Sequence, residues 1–389
     1  MNDALYGLLG REWGGLVLAA AATLLALGGL HLMSVQDDNL RHGLALLIAG
    51  LGAVPALAAL RHLVKRARTV RRLPPPGRRV DIGGYALHVL AEGEARNGRP
   101  PIVWFAGGHA GGFAMHHLHR IFRAETRSIL IDRPGTGWSD TGPFPRTTAR
   151  EAAEVVRALE RAGESGPFVW AGHSFGGLLC ANVARRRPDL VHTLVLLDPT
   201  PLETLIFGPR FGAIRQMQHA ALIGGLAQLF GIDLNERLRR QQAANPAYAK
   251  VLATVEAALG PEVAAVRALD ARAGSHFATA SIYAELSPEG AARCAWDTVV
   301  YDGDLGDLPV LLVAPKSDVD VNAVAEFATA AEDEAQRIAR RLAATRERYL
   351  ATSTRSQRVV TPPGTGHNFI YEVPDWLAGV MRAVLHARN

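Results

Sequence analysis

Two apolar stretches open the chain. Gly14 to Met33 runs twenty residues without a charge, and Gly43 to Leu60 runs eighteen more. Each is long enough to cross a hydrocarbon layer of about 30 Å as a helix. The pattern predicts two membrane spans, at about 14–33 and 43–60, within an anchor of residues 1–64. Pro55 in the second run is compatible with a span when neighbours satisfy the freed carbonyl. The competing readings are a buried pair of core helices and a secretory signal, although Asp3, Arg11 and Glu12 ahead of the first run lack the positive excess of a signal. Beyond Arg79 the period shortens. Arg78 to Glu92 reads as a hairpin across Gly83-Gly84, and 101–106, 128–132, 168–171, 193–198, 309–314 and 357–361 read as strands. Thr148 to Ala162 and Phe175 to Arg187 have helical spacing, the second stopping before Pro188. Such alternation of strand and helix predicts a mostly parallel sheet covered on both faces, with ligands at the carboxyl ends of its strands.

One region departs from the alternation. Residues from Thr200 to about Gly306 contain helix-like runs rich in Ala and Leu and no clear strand, which predicts an inserted helical cap. Ile214, Met217, Ala221, Leu222, Leu226, Leu229 and Phe230 fall on one helical face. Packing against the sheet domain is the plain reading of that stripe; a lid over an apolar substrate, or a surface dipping into a membrane, is the functional one. The charged segment 331–349 reads as a solvated helix face.

Charge adds orientation. The chain has 389 residues and a formal charge of +5, but Arg61, Lys65, Arg66, Arg68, Arg71, Arg72, Arg78 and Arg79 crowd one acid-free stretch, leaving 34 basic against 37 acidic residues elsewhere. A single local block argues against a nucleic-acid partner. Directly after the second span it should stay on the cytoplasmic side, placing both termini and the main domain in the cytoplasm and the protein, as a multi-pass one, in the inner (cytoplasmic) membrane. It also suits anionic lipid headgroups. Pro74, Pro75 and Pro76 make 65–79 a basic, Pro-rich linker to a main domain of residues 80–389. Cys180 and Cys294 are the two cysteines, too few for a disulfide framework and without metal-ligand spacing.

The chemistry concentrates at three places. Gly172-His173-Ser174-Phe175-Gly176-Gly177 follows a predicted strand and opens a predicted helix, the setting of a nucleophile elbow. The helix start and the Phe175 amide would then face charge developing beside Ser174. A serine needs a base, and the base an orienting carboxylate. His367, in Gly364-Thr365-Gly366-His367-Asn368, and Asp318, four residues past the strand ending at Ala314, supply them in the order Ser, Asp, His. Asp320 is a near neighbour, and Asp198, past the strand after the serine helix, is the first alternative acid. Gly108, in Gly107-Gly108-His109-Ala110-Gly111-Gly112, can give a second oxyanion amide beside Phe175, if the loop is more than a flexible turn. His109, His116, His117 and His119 have no carboxylate at ligand spacing and read as surface or cap-facing residues. Asp302, Asp304 and Asp307 read as a solvated turn, not a calcium loop.

From roughly Arg78 onward these motifs resemble the α/β-hydrolase fold superfamily, in its lid-bearing serine esterase and lipase branch. Asp132-Arg133-Pro134-Gly135-Thr136-Gly137-Trp138-Ser139 is similar to the segment after that family's fourth strand, and Leu196-Leu197-Asp198-Pro199 to the run after its sixth. Ala106 stands where the family usually has His, and Pro315 where it usually has Gly; the Asp-to-His interval is longer than usual. The resemblance implies an α/β fold, a mostly parallel sheet flanked by helices with a helical cap at about 200–306, to which the apolar runs ahead of it add two N-terminal transmembrane helices. It implies a membrane-anchored serine hydrolase acting on a small apolar ester, lipid-derived by proximity, with no cofactor and no metal. An acyltransferase or cofactor-free peroxidase using the same triad, or a non-catalytic membrane scaffold or receptor, are the other readings, and oligomeric state is left open.

Overall fold

Neighbouring side chains along the central strands separate onto two faces, as a strand's twofold period requires. Val103 and Phe105 join one buried cluster while Ile102 and Trp104 join the other; Trp170 and Ala171, Leu196 and Leu197, and Leu312 and Val313 divide in the same way. The computed structural model describes residues 3–32, 38–95, 98–108, 110–200, 211–287, 300–315 and 346–387. Three helices come first: α1 (Asp3–Leu9), α2 (Gly14–Leu32) and α3 (Asp38–Arg72). Next are β1 (Arg78–Asp81), β2 (Ala86–Glu92), β3 (Ile102–Phe105), α4 (His116–Phe122), β4 (Ser128–Ile131), α5 (Thr148–Ala162), β5 (Phe168–His173), α6 (Phe175–Arg186) and β6 (Val191–Leu197). The cap region contributes α7 (Phe211–Leu229), α8 (Leu234–Gln242), α9 (Pro246–Leu259), α10 (Glu262–Asp270) and α11 (Ala273–Glu285). The chain returns through β7 (Val310–Ala314), β8 (Ser356–Val360), α12 (Phe369–Glu372) and α13 (Pro374–His386).

The eight strands lie in the order β1-β2-β4-β3-β5-β6-β7-β8. The predicted hairpin is the antiparallel pair β1–β2, β2 also pairs antiparallel with β4, and the remaining pairs are parallel. Val155, Leu159, Leu179 and Val183 from α5 and α6 cover one face; Leu118, Phe122, Leu377 and Met381 from α4 and α13 cover the other. Helix α5 spans the predicted residues. It begins where the Thr147 hydroxyl accepts from the Arg150 amide (3.2 Å) and ends at Gly163, whose φ of 75° permits a left-handed stop.

The anchor differs from expectation in its lower half. α3 continues unbroken to Arg72, because Lys, Arg, Ala and Leu are good helix formers and nothing interrupts them before Pro74. The basic block therefore rides largely on a helix, and only the short Pro-rich stretch before β1 connects. One of its members turns inward: the Arg66 guanidinium donates to the Ala268 and Leu269 carbonyls (3.3 and 3.1 Å) and lies 3.7 Å from Glu12. Tyr6 stacks on Phe144 at 5.2 Å and meets the edge of Phe277 at 6.2 Å, and Trp138 Nε1 donates to the Leu73 carbonyl (2.8 Å). α2 and α3 are both long and apolar enough to cross a membrane, and their outward residues Leu25, Leu46, Leu51 and Val54 are exposed.

Most of the α7 stripe is packed, though chiefly against α1 and α11 and not against the sheet domain of the plain reading. Leu229, Ala221, Leu222 and Phe230 cluster with Tyr6, Leu9 and Phe277, and Ile214 packs toward α6, whereas Leu226 is exposed. Gly224 and Gly225 let α7 approach α11, since a Cβ there would come within 2.6 Å of His276 and 2.9 Å of Phe277. The segments 201–210, 288–299 and 316–345, with Cys294, Asp320 and most of the charged run 331–349, lie outside the described residues. Asp302 and Asp304 occupy a turn, facing Arg348 (3.3 Å) and Arg185 (3.9 Å) respectively.

Where anchor, cap and sheet domain meet, Asp270 accepts from the Gly137 amide (2.9 Å). Burial pushes its carboxyl up to about 6, against the opposing pull of that bond and of Arg272. An unfolded Asp titrates near 3.9, so the folded state holds this proton more tightly. Its stabilising contribution is full below pH 4 and is lost as pH rises through 6. Asp270→Asn, which keeps an acceptor for Gly137, should gain melting temperature relative to wild type between pH 4 and 7. A difference independent of pH would overturn this assignment.

Candidate active site

Ser174 occupies the single position between β5 and α6, with φ 52° and ψ −119°. A left-handed φ on a residue with a side chain costs about 1–3 kcal/mol, so the surroundings must enforce it. Three backbone bonds do so: the Ser174 amide donates to the Leu197 carbonyl (3.0 Å), and its own carbonyl accepts from Gly177 and Thr200 (3.0 Å each). The flanking glycines have a steric cause. A Cβ on Gly172 would lie 2.3 Å from the Gly176 carbonyl oxygen, and one on Gly176 would lie 2.5 Å from that of Phe105. Strand and helix thus approach too closely for any side chain, which is the elbow that the sequence predicts. The Ser174 hydroxyl has the Thr200 hydroxyl 3.5 Å away.

His367 Nδ1 donates to Asp198 Oδ2 at 2.5 Å. Asp198 is fully buried at the end of β6 and has φ 45°; it and Ser174 are the two non-glycine residues of positive φ among those described. Burial by itself would raise the Asp198 carboxyl. The His367 bond and charge, then Arg346 and His173, outweigh that and hold it below the usual carboxylate range. The carboxylate on the imidazole is therefore that of Asp198, the alternative acid. Asp318 lies outside the described residues.

Two further histidines hold the His367 turn. His173 Nε2 donates to the His367 carbonyl (2.8 Å), its ring 4.6 Å from the His367 ring, and His117 Nε2 donates to the Ile370 carbonyl (2.8 Å). A carbonyl only accepts, so each ring carries its proton on Nε2. Burial above all holds both rings neutral, His173 near about 3 and His117 near about 4. His116, His117 and His119 are buried; His116 Nδ1 lies 3.8 Å from Glu262 of α10 and so faces the cap as expected, whereas His117 and His119 turn inward, a correction to their reading as surface or cap-facing residues. The physical reason is that α4 lies over the sheet, with His119 tied to Ser128 (3.0 Å) and Glu92 (2.9 Å). His109 lies outside the described residues, and no group of metal ligands forms among those described.

The glycine loop after β3 meets the elbow. A Cβ on Gly107 would stand 2.9 Å from that of Ser174, and Gly108 has φ 54°. The Gly108 carbonyl accepts from Arg133 Nη2, and the same guanidinium lies 4.9 Å from the centroid of the Phe175 ring. Arg133 is itself buried, with Nη1 3.5 Å from Glu151. Neither Arg133 nor Arg346 stood out in the sequence as a site residue. Arg133 lies in a quoted motif, but Arg346 has no local signal that could have found it.

A family model described as the alpha/beta hydrolase family matches residues 97–380. A Saccharomyces cerevisiae protein described as an uncharacterized vacuolar membrane protein is 29% identical over 141 residues, 31% of this chain and 21% of that one. The 2-(acetamidomethylene)succinate hydrolase of Mesorhizobium japonicum is 32% identical over 127 residues, 32% of this chain and 43% of that one. The chain thus spans less than half the length of these curated relatives. A thermophilic esterase from Thermogutta terrifontis superposes with a TM-score of 0.50 at 20% identity, over 78% of this chain and 95% of that one.

Proposed function

Because the chain belongs to the alpha/beta hydrolase family, we propose that it is a membrane-anchored serine hydrolase cleaving carboxylic esters of apolar acyl groups. The observation that carries this reading is the His367–Asp198 bond (2.5 Å), tied through His173 to the elbow whose Ser174 is held at positive φ. Ser174 Oγ attacks the ester carbonyl carbon and passes its proton to His367 Nε2, while Asp198 steadies the imidazolium. The amides of Gly108 and Phe175 receive the oxyanion. His367 then protonates the leaving alcohol, and water, deprotonated by the same imidazole, releases the acid from Ser174. This chemistry needs no cofactor.

The acyl preference is supported by Ile214, Ile282 and Leu286 of the cap region, which pack onto Phe175 and Leu178 next to the serine. Membrane residence is supported by the exposed leucines of α2 and α3 and by the description of the yeast relative. The basic stretch at the end of α3 supports a cytoplasmic hydrolase domain, and proximity supports a lipid-derived ester as substrate. A fluorophosphonate probe applied to the membrane-embedded protein tests the serine directly. Wild type should label, Ser174→Ala should not, and His367→Ala should label far more slowly. Folded wild type that fails to label would overturn the reading.

A further inference from the structure

Asp198 has two oxygens and the triad uses one. Oδ2 accepts from His367; Oδ1 lies 3.0 Å from Arg346 Nη1. The approach is off the N–H axis, and Oδ1 has no hydrogen-bonded partner among the described residues, so the contact acts chiefly through charge. Asp198 is wholly buried and the Arg346 side chain is 14% exposed, a setting in which water screens the pair weakly. The ionisable groups facing Asp198 among the described residues are His367, Arg346 and His173, and His173 is neutral. The neighbouring Glu347 is engaged elsewhere, with Arg358. Arg346 is thus the fixed positive charge on the acid.

Such a charge has a calculable sign. Asp198 favours a protonated His367 because it is negative; a guanidinium on its far oxygen offsets part of that field. We propose that Arg346 is a positioning residue for Asp198 that keeps the carboxylate turned edge-on to the imidazole and weakens its hold on the imidazole proton. This inference rests on the triad reading.

The pH dependence of fluorophosphonate labelling reads it without a known substrate, since the rate requires neutral His367. Wild type, Arg346→Met and Arg346→Lys would be compared in membranes from pH 4.5 to 9. The midpoint of the acid limb should move upward by about one pH unit in Arg346→Met and stay near wild type in Arg346→Lys, which restores the charge. A purely structural role would lower the plateau in Arg346→Met and leave the midpoint in place, and that outcome overturns the proposal. If Arg346→Met does not fold, the Lys variant still decides: a plateau and midpoint both at wild type support charge as the requirement, and a shifted midpoint opposes it. Failure of wild type to label overturns the triad reading itself, whereas normal wild-type titration with an unmoved Met variant overturns this inference alone.

Discussion

Asp198→Asn should lower ester turnover and labelling rate by about 10⁴-fold while leaving the fold intact. Loss of that size follows removal of the acid's charge in serine triads because the histidine takes the wrong tautomer. Here the geometry specifies how. The positive charge of Arg346 lies against Oδ1, so the Asn oxygen, the negative end of the amide dipole, settles there and the amide nitrogen turns toward His367. That nitrogen donates to Nδ1, forces the ring proton onto Nε2, and leaves no acceptor for the serine proton. The fold should persist because Asn tolerates a positive φ well, and residue 198 has φ 45°. Asp318→Asn in the same assay should cost less than about threefold, because the imidazole already has its orienting carboxylate in Asp198. A larger loss from Asp318→Asn than from Asp198→Asn would transfer the role of acid to Asp318.

The contrast between those two aspartates shows where the sequence stops being legible. Alternation along the strands separates Val103 from Trp104 correctly, and Gly-x-Ser-x-Gly between a strand and a helix locates the elbow, because both depend on neighbours in the chain. The acid does not. Strand periodicity places Asp198 and Asp318 each just past a strand, and neither pattern states which carboxylate reaches a histidine far along the chain. Leu-Asp-Pro even points the other way, since a residue before proline prefers extended backbone, and Asp198 has φ 45°. That turn is held by its amide bond to the Val313 carbonyl (2.8 Å), a contact between strands. The end of the anchor helix is hard to read for the reverse reason: hydropathy falls at Leu60 while helix propensity continues to Arg72, and only the second decides where the backbone leaves the helix. Arg346 is legible only in three dimensions.

Arg133→Met should damage stability and turnover through separable causes. The guanidinium is 1% exposed and faces Glu151, itself fully buried, at 3.5 Å; Arg146 stands 3.7 Å from the same carboxylate and also pairs with Glu154. Removing one partner of a buried ion pair costs about 3–5 kcal/mol, and since Glu151 keeps Arg146 at 3.7 Å the loss here should fall at the low end of that range. The double variant Arg133→Met/Glu151→Met removes both charges, leaves Arg146 with Glu154, and should recover most of that loss in a denaturant melt. Turnover should not recover. Arg133 also donates to the Gly108 carbonyl and lies over the Phe175 ring, so one side chain ties together both residues whose amides are proposed to receive the oxyanion. Without it the glycine loop loses its tether, and the loss of one oxyanion donor costs about 10²–10³-fold in turnover. Stability restored by the double variant together with turnover still depressed would separate the two roles of Arg133. Turnover restored in step with stability would mean that the guanidinium serves the fold alone and that Gly108 holds its place without it.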